Sequence, residues 1–386
     1  MVRLGDVCLE TENANPAQFD RLIRYIDISS VDSVSKRITA VQEISSNDAP
    51  SRARQKVIKN DILVSTVRPN LNAVATVETE NSDQFASTGF CVLRPNRELL
   101  YPRYLFGFLC SPMFVASLTK QATGASYPAV SNTIVKNELI PLPPIEEQKC
   151  IAATLDTVSD LIRLRKRQLV ELDLLVKSRF EEMFRSNDET VPLSYYIESL
   201  SAGKSLAGEE ECHNKVLKTG AATYDCFDKT QVKNLPIDYK PLPEHKVKDG
   251  DVIISRMNTA ELVGAAAYIW KAPENTYLPD RLWRAELKQS AHPIFVWQII
   301  IQQTTKERIR KIAGGTSGSM KNISKPALLG IHVIKVGLSQ QKQFASYIQH
   351  SEKLKQSIET ALNELLTLQQ ALTQHYFGEK CVSHEQ

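Results

Sequence analysis

Two groups of side chains in this sequence have the chemistry to meet the edges of nucleic-acid bases. The first comprises Thr66, Arg68, Asn70, Asn72, Ser126, Tyr127 and Asn132; the second comprises Arg256, Asn258, Arg281, Arg284 and Asn322. A guanidinium can bond both acceptors of a guanine edge, and an asparagine amide can bond the donor and acceptor of an adenine edge. Each group has basic residues near it in sequence. Arg52, Arg54, Lys56 and Lys59 accompany the first, with only Asp61 opposing; Lys306, Arg308, Arg310, Lys311, Lys321 and Lys325 accompany the second, with only Glu307 opposing. Clustered cations suit phosphate contact, which makes affinity fall with salt. Taken singly, each polar residue also fits a turn or a surface hydrogen bond, and each basic cluster a solvated face. The residues count as groups.

Catalytic constellations are not found. There is no Asn/Asp-Pro-Pro-aromatic loop of the kind that adenine methylation uses. Gly203-Lys-Ser205 lacks the first glycine of a phosphate-binding loop, because position 198 is Glu198. Gly314-Gly-Thr-Ser-Gly318 follows a helix rather than a strand and reads as a loop. Asp280, Glu286 and Lys288 are spaced too closely for a metal-dependent nuclease, and Asp280 has no counterpart in the first half. The seven histidines show no paired metal spacing, and the seven cysteines, Cys381 included, form no Cys-x-x-Cys pair. These absences favour a binding protein that is not itself an enzyme and holds no metal.

The elements that would position the two groups form a repeat. Glycine- and proline-free helical periodicity runs from about Ile145 to Phe184, with apolar residues at Ile151, Leu155, Val158, Ile162, Leu169 and Leu172. It runs again from about Leu338 to Phe377, with Leu354, Ile358, Leu362 and Leu365. At 1.5 Å per residue each helix would be about 50–60 Å long, a length that calls for pairing of the two. Residues 131–184 align with 324–377 without a gap at an offset of 193, with Ser131/Ser324, Gln148/Gln341, Leu161/Leu354, Leu175/Leu368 and Phe184/Phe377 among the identities. Outside the helices, Asn60-Asp-Ile-Leu-Val-Ser65 matches Gly250-Asp-Val-Ile-Ile-Ser255, each followed by an arginine (Arg68, Arg256). Pro102 matches Pro293, and Val2 and Leu4 recur as Val191 and Leu193. The expected fold is α+β: a mixed domain at 1–145, a helix at 146–187, a second domain at 188–337, a helix at 338–378 and a tail at 379–386. The two helices are expected to pack as an antiparallel coiled coil in a pseudo-two-fold internal repeat.

The bulk numbers set wide bounds. The 386 residues suit two or three domains, and 42% hydrophobic with 24% charged residues is ordinary for a globular chain. No apolar run approaches the roughly 20 residues that span a bilayer, and the start of the chain does not read as a signal peptide, so a cytoplasmic protein is expected. A net charge of +3 neither demands nor excludes nucleic acid.

With these motifs in place, the chain resembles the specificity subunits of type I restriction–modification systems. The resemblance rests on Ile140-Pro-Leu-Pro-Pro-Ile-Glu-Glu-Gln-Lys149 with the helix after it, on the weaker second copy at 333–342, on Asp61-Ile-Leu-Val-Ser-Thr-Val-Arg-Pro69 and on Thr123-Gly-Ala-Ser126. It implies two target-recognition domains, each reading one half of a split double-stranded DNA sequence, held apart by the helices. It also implies two methylation subunits and restriction subunits as partners. S-adenosylmethionine, Mg and ATP would be bound by those partners, and the target adenine would be flipped by the methylation subunits. A protein–protein adaptor built on a duplicated coiled-coil scaffold is the competing reading.

Overall fold

The computed structural model describes residues 1–80, 83–315 and 320–378. The expected tail at 379–386, Cys381 and most of the glycine-rich stretch after Gly315 therefore lie outside the described residues. The chain divides into two compact units, Met1–Gln168 with the chain from Ile358 onward, and Leu169–Ser357. Each unit combines one globular domain with half of each long helix. The compact bodies therefore cut across the succession of domain, helix, domain and helix.

In the first unit, strands Cys8–Leu9, Phe90–Pro95, Ile62–Ser65 and Val74–Thr76 form an antiparallel sheet in that order. A second sheet holds Gln42–Ser45, Leu22–Ile26, Gln84–Ser87 and Ala53–Lys56. Helix α1 (Pro102–Leu109) and helix α2 (Pro112–Gln121) both open on a proline, whose missing N–H costs nothing in a first turn. Helix α3 (Asn132–Asn137) is capped by Ser131, whose Oγ accepts from the Ile134 N–H. The first half of helix α4 (Ile145–Phe184) closes the core: Ile151, Ala152 and Leu155 join Leu4, Ile62, Tyr104 and Phe108, together with Phe377.

The second unit repeats the plan. Strands Ile197–Ser201, Leu282–Leu287, Val252–Ser255 and Ala266–Tyr268 form the antiparallel sheet. Helix α5 (Pro293–Ile301), helix α6 (Gln303–Ile312) and helix α7 (Lys325–Leu329) follow, and the Ser324 Oγ caps α7 by accepting from the Ala327 N–H. Helix α8 (Leu338–Phe377) has the same 40-residue length as α4. Phe180 and Phe184 of α4 meet Phe344 of α8 at ring-centroid distances of 5.5 and 5.4 Å.

The recurrences in the sequence have structural causes. Val2 pairs with Ile140, and Val191 with Val333, so each domain's first strand pairs with the strand just before the long helix. Leu4 and Leu193 follow those strands and are fully buried. Gln148 and Gln341 are also fully buried. Gln148 Oε1 accepts from the Tyr101 N–H (2.9 Å), while its amide donates to the carbonyls of Leu99 (2.9 Å) and Pro143 (2.8 Å). Gln341 does the same with the His292 N–H (2.8 Å) and the carbonyls of Ser290 (3.1 Å) and Val336 (2.8 Å).

The two long helices run antiparallel. In the second unit Phe180 meets Phe344 and Asp173 meets Lys355 (3.2 Å), so numbers fall on α8 as they rise on α4. In the first unit the Gln369 amide donates to the Ser159 Oγ (3.0 Å). Of the expected helix-pair core, Ile151, Leu155, Val158, Ile162 and Ile358 are buried, and Leu169, Leu172, Leu362 and Leu365 are half-buried. Leu354 is not part of it, being 55% exposed. The seam there passes through half-buried Ser351 and Lys355, which continue the seven-residue spacing of Ile358 and Ile348. Leu354 sits one step off that stripe. Following leucines rather than the heptad put it in the core.

Candidate nucleic-acid interface

In the first unit the chain leaves strand Ile62–Ser65 and turns sharply. The Ser65 Oγ donates to the Val67 carbonyl (2.9 Å), and Arg68 adopts a left-handed backbone with φ 51°. The Arg68 N–H donates to the Pro128 carbonyl (2.7 Å), the Val130 N–H donates to the Thr66 carbonyl (2.9 Å), and Val67 bridges Ala129. These bonds bring residues 66–68 beside 127–130 across some 60 positions of chain. The Arg68 guanidinium lies 4.7 Å from the centroid of the Tyr127 ring, which is 69% exposed. Cation–π contact holds the guanidinium while leaving its edge free to donate. Asn70 and Ser126 are exposed, Asn72 is half-buried with its carbonyl bonded by the Lys36 ammonium (2.5 Å), and Asn132 is exposed in the first turn of α3.

Two expectations fail in this unit. Thr66 is buried and donates its hydroxyl to the Gly89 carbonyl (2.9 Å), so it cannot reach a base. Asp61 does not oppose the basic stretch: it is buried and gripped by Arg94 at 2.8 Å through both carboxylate oxygens. Lys56 is paired instead with Glu12 (3.5 Å), and Lys59 with Glu80 (2.8 Å). Arg54 donates to the Ser51 carbonyl (3.0 Å), and Arg52 stays exposed. Acids remote in sequence thus neutralise much of this stretch.

The second unit has the same frame with different side chains. The Ile323 N–H donates to the Arg256 carbonyl (3.0 Å), and Met257 and Asn258 pair with Asn322 and Lys321. Arg256 therefore stands where Thr66 does, Met257 where Val67 does, and Asn258 where Arg68 does. Sequence comparison matched Arg68 with Arg256 by residue type; the ladder register moves the match by two residues. The Arg256 N–H donates to the carbonyl of exposed Arg281 (3.1 Å), and its guanidinium lies 5.8 Å from the Trp283 centroid. Arg256, Asn258, Arg281, Lys321 and Asn322 are thus gathered at one end of the sheet.

Arg284 is not with them. It is buried and braces the sheet, donating to Glu286 (2.9 Å) and to the carbonyls of Glu244 (2.8 Å) and Lys246 (3.1 Å), with an ion pair to Asp251 at 3.6 Å. Its donors are used inside the domain, and so it cannot read a base. Burial raises the Asp251 carboxyl above its ordinary value, with Arg284 partly offsetting the rise. The basic cluster is also partly internal: Lys306 pairs with Asp225, Arg308 bonds the His332 carbonyl, Arg310 the Glu261 carbonyl and Lys325 the Leu200 carbonyl. Glu286, one of the residues considered for nuclease chemistry, is held by Arg284 and Ser201. No group of three or more histidine, cysteine or acidic side chains able to hold a metal occurs among the described residues, and no described helix is long and apolar enough to cross a membrane.

Comparison with known proteins follows the same outline. Residues 1–174 match the family described as type I restriction modification DNA specificity domain. The EcoKI specificity subunit of Escherichia coli K12, a type I restriction enzyme subunit, is 22% identical over 343 residues, covering 83% of this chain and 74% of its own length. The MjaVIII specificity subunit of Methanocaldococcus jannaschii is 26% identical over 307 residues, covering 72% and 71%. A chain from a solved type I R-M system, studied for complex assembly and conformational transition, superposes with a TM-score of 0.63 at 27% identity, covering 98% of this chain and 97% of its own. The type I restriction–modification S subunit from M. genitalium shares the fold, with a TM-score of 0.56 at 14% identity.

Proposed function

The chain belongs to the specificity subunits of type I restriction–modification systems, and we propose that each of its two units reads one half of a split, asymmetric DNA target. The observation that carries this is the common frame with unlike side chains. Arg68 over Tyr127 occupies the place held by Asn258 beside Lys321. An arginine favours guanine and an asparagine favours adenine, so equivalent positions would select different bases. Genome-wide mapping of N6-methyladenine in cells carrying this chain and its methylation subunit is expected to return an interrupted, non-palindromic motif.

The chain itself performs no catalysis in this reading. Methylation subunits supply S-adenosylmethionine and flip the adenine, restriction subunits supply the Mg- and ATP-dependent steps, and the assembly acts on DNA in the cytoplasm. Two copies of the methylation subunit fit the leucines that both repeats keep exposed: Leu161 (41%) and Leu368 (45%) in the first unit, and Leu354 (55%) and Leu175 (53%) in the second. Core packing does not explain why these leucines were kept. Leu161→Asp combined with Leu354→Asp is expected to weaken co-purification of methylation subunits at least about tenfold while thermal stability stays nearly constant, as for other exposed sites. Unchanged co-purification would remove the helices as the docking surface.

A further inference from the structure

Tyr224 is 80% exposed, as open as any large apolar or aromatic side chain among the described residues. It and the next residue, Asp225, both adopt left-handed backbone with φ 62°. Ordinary side chains are strained there, and such strain persists only where the surroundings fix it. The fixing contacts all fall on Asp225. Its carboxylate accepts from the Ala266 N–H (3.3 Å) and pairs with the Lys306 ammonium, and its carbonyl accepts from the Trp297 indole N–H (3.2 Å). What this clamp presents to solvent is the ring of Tyr224.

The clamp sits at the interface end of the sheet. Ala266 pairs with Ile254, and the Ser255 N–H donates to the Ala265 carbonyl, just where the chain departs toward Arg256 and Asn258. The first unit places a similar device at the corresponding end. Val34, also 80% exposed, tips a turn that contains left-handed Lys36 (φ 57°). The Lys36 ammonium holds the Asn72 carbonyl, next to Ala73, which accepts from the Ser65 N–H where that chain departs toward Arg68. Both units thus carry an exposed apolar or aromatic side chain on a turn tied to the end of the sheet from which the polar readers depart.

We propose that Tyr224 is a specificity-determining residue, its ring packing on the 5-methyl group of a thymine in the half-target read by the second unit. This rests on the proposed reading of DNA by that unit. In an undistorted major groove the thymine methyl is the apolar feature of a base edge, and a tyrosine carried on a fixed backbone, with only two torsions of its own, loses little entropy on meeting it.

The test uses the assembled complex with Tyr224→Gly, which removes the ring and suits the left-handed backbone, and Tyr224→Phe, which keeps the ring. Tyr224→Gly is expected to melt at the same temperature as the wild type or higher. Its methylation motif loses one thymine in the half that Asn258→Ala alters, and Tyr224→Phe keeps the motif. Duplex carrying uracil in place of that thymine binds wild type about fourfold more weakly, a methyl group's worth of burial, and binds Tyr224→Gly no differently from thymine. An unchanged motif in Tyr224→Gly, or no effect of uracil on wild type, overturns the assignment. A wild-type complex that yields no motif at all overturns the underlying reading of DNA instead.

Discussion

Gln148→Ala is expected to destabilise the first unit by about 3 kcal/mol or more, measured by urea or thermal unfolding. The side chain is fully buried and makes three hydrogen bonds to main-chain groups of Leu99, Tyr101 and Pro143. Alanine leaves one N–H and two carbonyls without their partner, each worth about 1–3 kcal/mol when no water replaces it. These three bonds tie the segment entering α1 to the segment entering α4, so their loss frees both helix starts together. Gln148→Glu discriminates the cause: it keeps the size and the acceptor but loses the amide donors facing two carbonyls, and it should not rescue stability. A Gln148→Ala protein as stable as wild type would mean that the glutamine's recurrence at 341 is not structural.

Phe344→Ala is expected to cost about 3–5 kcal/mol in the second unit. The ring is fully buried between Phe180 and Phe184 of α4, at 5.5 and 5.4 Å, and edge-to-face geometry adds to its burial. Truncation opens a cavity where α4, α8 and the globular domain share one core. Phe344→Leu should recover much of the loss. Guanidinium titration of the two variants and wild type tests this; a change below about 1 kcal/mol for alanine would contradict the account of how the helices are joined.

The repeat was legible because it is carried by spacing. Forty-residue helices, serine caps at Ser131 and Ser324 and the glutamine pair survive as identities at one offset, since each answers the same local need twice. The interface was legible only in part. Arg68 and Tyr127 come together in the first unit, and Asn258, Lys321 and Asn322 in the second, but in each case through cross-strand registers that sequence proximity does not encode. Thr66 and Arg284 have side chains of the right type that the core uses instead, and only burial distinguishes the two cases. The acids that neutralise Lys56, Lys59 and Lys306 lie 21 to 81 positions away, beyond any local count of charge. Leu354 misled in the opposite direction, because a leucine at helical spacing looks like core until the heptad that includes Lys355 is traced.

If one unit reads each half-target, a map of N6-methyladenine in cells expressing the chain with its methylation subunit as wild type, as Arg68→Gly and as Asn258→Ala separates the two halves. Glycine suits the left-handed backbone at position 68, so that variant removes the guanidinium without adding strain. A split, asymmetric wild-type motif is expected, relaxed in one half only by Arg68→Gly and in the other half only by Asn258→Ala. A palindromic or uninterrupted motif, or either substitution altering both halves, would contradict it.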